Sequence, residues 1–235
     1  LRPGLSFQNG APLTADDVVF TVNKIKNYAL KSPRAGDWAG VTVESASSTP
    51  SIVKFTLKQP YSSFLTNTTI GIIPKSIWGN VTNEQFIFSE YNIKPIGAGP
   101  YMVTNIKRDQ GGIPTEYTLT AWNDYHAETA HLTNIVFSFF PDLDHALNAL
   151  TNGSIDSLSS VPTSAAHDLA TNKGEPYRVE SAPLTRIFGV FFNQNRNPIL
   201  ADTIVRRALN MSVDRTVIIN TVLNGYGAPI QGPFP

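Results

Sequence analysis

Early in the chain a capped helix is set between strand-like segments, and that mixture limits the folds open to it. Asn9-Gly10 makes a turn. Thr14-Ala15-Asp16-Asp17 then fits a capping box, in which the Thr14 hydroxyl can accept from the backbone of Asp17 and the Asp17 carboxylate suits the positive helix end. Val18, Val22, Ile25 and Ala29 recur at helical spacing and predict a helix from Thr14 to about Tyr28. The period then changes. Val53, Phe55 and Leu57 alternate with Lys54, Thr56 and Lys58, as in a half-buried strand. The expected hairpin joins Val41–Ser45 to Ile52–Lys58 through Ser47-Ser48-Thr49-Pro50. A chain that changes period in this way belongs to the α/β or α+β class.

Further along, Ile72 to Trp78 is apolar but broken by Pro74, so a turn leading into a short helix is expected. Lys94-Pro95-Ile96-Gly97-Ala98-Gly99-Pro100-Tyr101, rigid at its prolines and permissive at its glycines, is the best candidate for a domain boundary. Beyond it Tyr101–Lys107, Glu116–Ala121 and Thr133–Phe139 read as strands. Asp142 is expected to cap a helix carrying Leu143, Ala146, Leu147 and Leu150, ended by Gly153. Ile155–Leu158 and Arg178–Ser181 read as strands, with a short helix after Pro162. Ile187 to Phe192 is a continuous apolar run, as in a strand buried on both faces. Two helices, capped by Asp202 and Asp214, follow.

Composition removes several function classes. The 235 residues include eighteen basic and eighteen acidic side chains, for a formal net charge of +0. That lacks the basic excess with which nucleic-acid binders and polybasic membrane-surface proteins meet phosphate. There are no cysteines, so thiolate metal sites, disulfides and cysteine nucleophiles are excluded within this stretch. The longest apolar run, Ile187 to Phe192, is too short to cross a bilayer. No dinucleotide fingerprint, Gly-x-Ser-x-Gly elbow, His-Glu-x-x-His pair or phosphate loop occurs; Gly97-x-Gly99 lacks the third glycine, and Pro100 removes a donor.

Two phrases point to a family. Asn9-Gly10-Ala11-Pro12-Leu13-Thr14-Ala15-Asp16-Asp17-Val18-Val19-Phe20 and the run from Phe192-Asn193 through Val205-Arg206-Arg207-Ala208-Leu209-Asn210-Met211-Ser212-Val213-Asp214-Arg215 resemble extracytoplasmic solute-binding proteins of ABC importers, in the peptide- and nickel-binding family. Ile73-Pro74-Lys75 with Trp78, Gly97-Ala98-Gly99-Pro100-Tyr101, the stretch from Ile135 to Asp156, and Gly225-Tyr226-Gly227 with Pro229 and Gly232-Pro233 follow in the family's order. Trp122-Asn123-Asp124-Tyr125-His126 departs from the usual Arg-Asn-Pro-x-Tyr-Trp. Leu1 falls inside a recognisable segment and no initiator Met is present, so the sequence reads as an internal fragment.

The resemblance implies a two-lobed periplasmic-binding-protein fold of type II. Residues 1–95 would be an inserted subdomain of lobe one, 96–190 its body, and 191–235 the hinge crossover and start of lobe two. It also implies a non-enzymatic function, capture of an oligopeptide or related small solute by cleft closure, with no cofactor. The expected partners are the ligand and a membrane-embedded ABC permease, with no nucleic acid, and the expected state is a monomer. The expected location is extracytoplasmic, with lipid anchoring through a missing N-terminus as an option. The alternatives are a carboxylate-dependent hydrolase and a ligand-free receptor or structural module on the same fold.

Position nominates the ligand-binding residues. Leu184, Thr185 and Arg186 precede the expected buried strand, and Phe192 and Asn193 follow it. Ligands of two-lobed α/β proteins gather where strands end and the chain changes domain. Thr185 and Arg186 would supply hydroxyl and guanidinium donors to a peptide carbonyl or carboxylate. Trp38, in a loop flanked by Gly and Pro, is a stacking candidate, although core packing is the commoner role of Trp. His126 and His131 with Asp124 and Glu128 match no metal-ligand spacing and read as a solvated loop. Asp16-Asp17 reads as a helix first turn rather than a catalytic pair. Arg206-Arg207 could grip an anion but more commonly would face water. The Asn-x-Ser/Thr sites at Asn67, Asn80, Asn152 and Asn210 read as unused for glycans.

Overall fold

The computed structural model describes residues 1–46, 51–171, 177–182, 187–230 and 232. By compactness the chain divides into Leu1–Asp142 and Leu143–Pro235. The first unit opens with a tight turn in which Ser6 bridges Pro12 and Gly10 takes φ +80°, a backbone region that glycine enters without steric cost. Helix α1 (Ala15–Lys26) follows, with the expected Thr14–Asp17 box at its head, although the Thr14 hydroxyl donates to the Asp17 carboxylate and the Asp17 N–H goes to the Thr14 carbonyl. It ends before Tyr28 because Asn27 turns its side chain to cap the next turn, accepting the Ala29 N–H at 3.0 Å. Ala29 is consequently exposed, not part of the apolar stripe.

Strands β1 (Val41–Ser45) and β2 (Val53–Leu57) pair antiparallel, with Val43 opposite Phe55 and Val41 opposite Leu57. The turn expected at Ser47 to Pro50 lies outside the described residues. The alternation read from the sequence is the alternation of faces: Val53, Phe55 and Leu57 are half-buried while Lys54 and Thr56 are exposed, and β1 alternates likewise, with Val41 and Val43 buried and Thr42 and Glu44 exposed. Against them pack Val22 of α1, Trp38 and Phe64, with Val19, Ile25, Val53, Phe55, Leu57 and Ile70 around the edge. Trp38, Phe55 and Phe64 form an aromatic cluster with centroids 5.5–5.9 Å apart, spacings at which tilted and edge-on rings attract.

Three short helices complete this part: α2 (Phe64–Asn67), α3 (Lys75–Trp78) and α4 (Asn83–Phe86). Helix α3 starts directly after Pro74, as a proline that cannot donate allows. Trp78 is buried against Phe86 and Tyr91, at centroid distances of 4.4 and 5.9 Å.

The chain then builds a three-stranded antiparallel sheet, β3 (Tyr101–Arg108), β4 (Pro114–Ala121) and β5 (Asn134–Ser138), in the order β3-β4-β5. Its register aligns Val103 with Leu119 and Ile135, and Ile106 with Tyr117 and Phe137, giving one apolar face. The opposite face carries the Lys107–Glu116 ion pair at 2.8 Å.

In the second unit, α5 (Leu143–Thr151) begins immediately after Asp142 and buries Ala146, Ala149 and Leu150. Gly153, at φ +75°, ends it, with its N–H on the Leu150 carbonyl. Helix α6 (Thr163–Thr171) follows Pro162. The caps expected of Asp202 and Asp214 are present on α7 (Thr203–Met211) and α8 (Arg215–Val222): Asp202 accepts from Ile204, and Asp214 from Thr216 and Val217.

Three expected strands need correction. Ile155–Leu158, Arg178–Ser181 and Ile187–Phe192 are not strands, and Phe188, Val190 and Phe191 are exposed rather than buried. Composition suits a segment to a strand, but only a neighbouring ladder makes it one. Among the described residues of the second unit no strand is available to pair with them.

Candidate functional site

Of the six nominated residues, three can be placed. Leu184, Thr185 and Arg186 lie outside the described residues. Phe192 is half-buried and Asn193 is exposed. Asn193 organises the turn that follows: its side-chain oxygen accepts the Arg196 N–H at 3.1 Å, and its carbonyl accepts from Asn197 at 3.3 Å. Asn197 in turn caps the short helical turn Pro198–Ala201 by accepting from Ile199. Phe192-Asn193 is thus where an apolar segment without helix or strand gives way to a sequence of locally capped helices.

Trp38 is the nominated residue that the structure moves. It is 0% exposed, at the centre of the aromatic cluster, and cannot serve as an exposed stacking platform. Its flanking Gly36, Ala39 and Gly40 let the loop fold inward. Burying an indole of roughly 200 Å² at ~25 cal/mol/Å² gains about 5 kcal/mol. Its Nε1–H has no hydrogen-bond partner among the described residues, a loss of ~1–3 kcal/mol that does not reverse the balance.

The acidic pair at the head of α1 separates by role. Asp17 is buried and saturated: its Oδ2 accepts the Thr14 N–H at 2.9 Å and the Thr14 hydroxyl at 2.8 Å, and its Oδ1 accepts the Lys75 N–H at 2.8 Å. Asp16 faces solvent, accepting from the Ser45 hydroxyl at 2.8 Å and from Lys75 Nζ at 3.4 Å. Those two hydrogen bonds, with the charge of Lys75, hold its carboxyl below the usual carboxylate range. Because the two carboxyl groups are committed to different donors, they form no acid–base couple sharing one proton.

Arg206 is likewise occupied. Its guanidinium donates to the carbonyls of Leu200 and Ala201 at 2.8 and 2.7 Å and to the Thr203 hydroxyl, locking the turn before α7 rather than gripping an anion. His126 stacks edge-on against Tyr125 at 4.6 Å. Among the described residues no three His, Asp or Glu side chains come together as a metal site, and no helix is long and apolar enough to cross a membrane.

One residue that sequence reasoning passed over stands out. Gln8 donates from its backbone to the Gly97 carbonyl at 2.9 Å and accepts the Gly97 N–H on its side-chain oxygen at 3.2 Å. Its side-chain nitrogen donates to the carbonyls of Gly99 and Tyr101, at 3.2 and 2.8 Å. The chain therefore returns at Gly97 to the place it left at Gln8. Nothing in the local sequence announces this, because the partners are 89 to 93 residues apart.

Comparison with known proteins agrees with this architecture. All of residues 1–235 match the family of bacterial extracellular solute-binding proteins, family 5 Middle. The oligopeptide-binding protein AppA of Bacillus subtilis (strain 168) is 30% identical over 231 residues, covering 97% of this chain and 40% of AppA. The structure of the ABC transporter substrate-binding protein CtaP from Listeria monocytogenes matches with a TM-score of 0.77 at 34% identity, over 94% of this chain and 43% of that one. The structure of AppA from Bacillus subtilis in complex with a nonapeptide matches with a TM-score of 0.66 at 28% identity, over 96% of this chain and 43% of that one. The chain spans about two-fifths of the length of these relatives.

Proposed function

Because this chain belongs to the family 5 bacterial extracellular solute-binding proteins, we propose that it is part of the substrate-binding component of an ABC importer that captures an oligopeptide. The observation that carries this reading is the whole-chain family match joined to the fold shared with AppA, whose structure holds a nonapeptide. The protein acts by binding and not by catalysis. Its ligand bridges two lobes and shifts an open–closed equilibrium by binding the closed form more tightly. The complex is then presented to a membrane-embedded permease on the outer side of the membrane. The protein works as a monomer, and a lipid anchor would keep it near the permease.

Within this reading residues 1–95 are the inserted subdomain of lobe one, 96–190 its body, and 191–235 the crossover into lobe two. The Gln8–Gly97 contacts support the first boundary, since they close the 1–95 segment on itself. Leu184, Thr185, Arg186, Phe192 and Asn193 line the ligand cleft. Apolar surface from Leu184 and Phe192 and donors from Thr185, Arg186 and Asn193 suit a peptide, with its carbonyls and terminal carboxylate.

Calorimetry of the full-length protein against a peptide pool, run beside turnover assays on the same pool, tests the proposal. Saturable binding without product is expected. Peptide cleavage, or an absence of binding across the pool, would overturn it.

A further inference from the structure

The joint between the first part of the chain and the β3–β5 sheet is built in an unusual way. Residues 1–96 carry α1, β1, β2 and α2, which pack around Val22, Trp38 and Phe64, and α3 and α4, which join them through the Lys75–Asp17 bond and the Trp78–Phe86 contact. The sheet begins at Tyr101. Between them, Pro95 and Pro100 are stiff, while Gly97 and Gly99 are free: a Cβ built on Gly99 meets nothing within 4 Å, and one on Gly97 meets only the Gly99 nitrogen at 3.9 Å. Two unconstrained glycines between two prolines concentrate backbone freedom at one place. Ile93 and Pro95 face Val103, Tyr117, Leu119 and Phe137 across a groove of about 270 Å³, so this seam is not packed solid.

What holds the joint is Gln8: its backbone N–H donates to the Gly97 carbonyl, and its side-chain amide, the part that a substitution removes, uses its oxygen on the Gly97 N–H and its nitrogen on the Gly99 and Tyr101 carbonyls. A primary amide of this length offers both functions at once; ionised Glu lacks the donor, and Leu or Met lacks both. A side-chain bond of this kind opens without dismantling any strand ladder.

We propose that Gly97–Gly99 is a swivel and Gln8 its latch, so that residues 1–96, to which the segment before Gln8 is bonded through Ser6–Pro12 and Leu5–Leu13, turn as one body against the β3–β5 sheet when the latch opens. This joint lies wholly within Leu1–Asp142 and does not depend on the ligand reading above.

The absence of cysteine makes the test direct. Full-length protein carrying Asn23→Cys on α1 and Gln110→Cys in the β3–β4 turn is spin-labelled, and the distance distribution between the labels is measured by pulsed electron resonance. With Gln8 intact one narrow distribution is expected. It broadens in Gln8→Ala at every pH. In Gln8→Glu it is broad at neutral pH and narrows as the carboxyl regains a proton near pH ~4, because the neutral acid can again donate to a carbonyl. A distribution as narrow in Gln8→Ala as in the parent, or one in Gln8→Glu that ignores pH, overturns the latch. Hydrogen exchange on the unsubstituted protein tests the idea without a variant. The Gly97 amide is expected to exchange faster than the β3–β4 ladder amides, and exchange at the ladder rate counts against a separate opening.

Discussion

The Lys75 N–H donates to the Asp17 carboxylate at 2.8 Å, tying the start of α3 to the start of α1. A second bond runs alongside it: the Thr21 hydroxyl accepts the Ile73 N–H at 3.1 Å while donating to the Asp17 carbonyl at 2.7 Å. The segment before α3, which Pro74 prevents from joining a longer helix, is thereby held on the first turns of α1. Asp17 is both half of a capping box and the anchor of a neighbouring helix.

Replacing Asp17 with Ala strands the Thr14 and Lys75 N–H groups in a partly buried place. Hydrogen bonds to a charged acceptor are worth ~1.5–3 kcal/mol each and are not additive, so a loss of about 3 kcal/mol is expected. Thr14→Ala removes only the hydroxyl and should cost about 1 kcal/mol. Urea denaturation of the two variants checks the ranking. A Thr14→Ala cost equal to that of Asp17→Ala would mean that the Thr14 and Lys75 N–H bonds to the carboxylate contribute nothing.

Trp38 offers a test that separates core from ligand roles. Trp38→Ala should lose about 3–5 kcal/mol through the cavity it leaves. Trp38→Phe keeps a ring in the Phe55–Phe64 cluster and removes the unpartnered Nε1–H. Its cost should therefore be far smaller than that of the Ala variant. Neither change should alter ligand selectivity in the full-length protein, as binding calorimetry on Trp38→Phe would show.

These residues also mark how far the sequence could be read. Val41–Ser45 and Val53–Leu57 were legible because alternation is local, and a half-buried strand writes it into consecutive positions. Thr14, Asp202 and Asp214 were legible because a cap bonds within three residues of itself. Ile187–Phe192 was misread for the complementary reason: it has strand-grade side chains, but pairing is decided by a partner elsewhere. The Gln8–Gly97 and Asp17–Lys75 bonds join residues 89 and 58 positions apart, so no short-range pattern could disclose them, although the capping box of Asp17 with Thr14 was itself legible. Trp38 was read from its flexible neighbours, whereas the apolar area of its own indole decided where it went. The candidate cleft was nominated by position alone, and its guanidinium, Arg186, falls outside the described residues.

Asp16 gives a pH-dependent signature. The Ser45 hydroxyl, the Lys75 ammonium hydrogen bond and the Lys75 charge, in that order, lower its folded pKa. A depressed carboxyl pKa stabilises the folded state above the unfolded value, and that contribution disappears as pH falls through the folded value. Ser45→Ala and Lys75→Met should each move the Asp16 midpoint up toward the ordinary carboxylate range, in an NMR titration of its side-chain carboxyl. Because this group faces solvent, added salt should weaken the Lys75 part and leave the Ser45 part. A midpoint unmoved by Ser45→Ala would discard the assignment of the hydroxyl as the leading cause.

Arg186 decides the ligand-site proposal. If its guanidinium meets a peptide carboxylate or carbonyl, it does so as a planar fork with two parallel donors, which an ammonium cannot reproduce. In the full-length protein Arg186→Ala should weaken peptide binding by about tenfold to a hundredfold, corresponding to ~1.4–2.7 kcal/mol. Arg186→Lys should recover only part of the loss, because it restores the charge without the fork. Asn193→Ala is the control on the other side of the apolar run. The Asn193 side-chain oxygen already accepts from Arg196 within its own turn, so its removal should lower stability as well as affinity, whereas Arg186→Ala should leave the melting temperature unchanged. A surface arginine paired with a nearby carboxylate predicts the reverse: no change in affinity, and a stability effect within ~1 kcal/mol that fades with salt. Calorimetric titration of one peptide against the parent and the three variants, with melting curves on the same samples, separates these outcomes. Unaltered affinity in Arg186→Ala would remove the residue from the site.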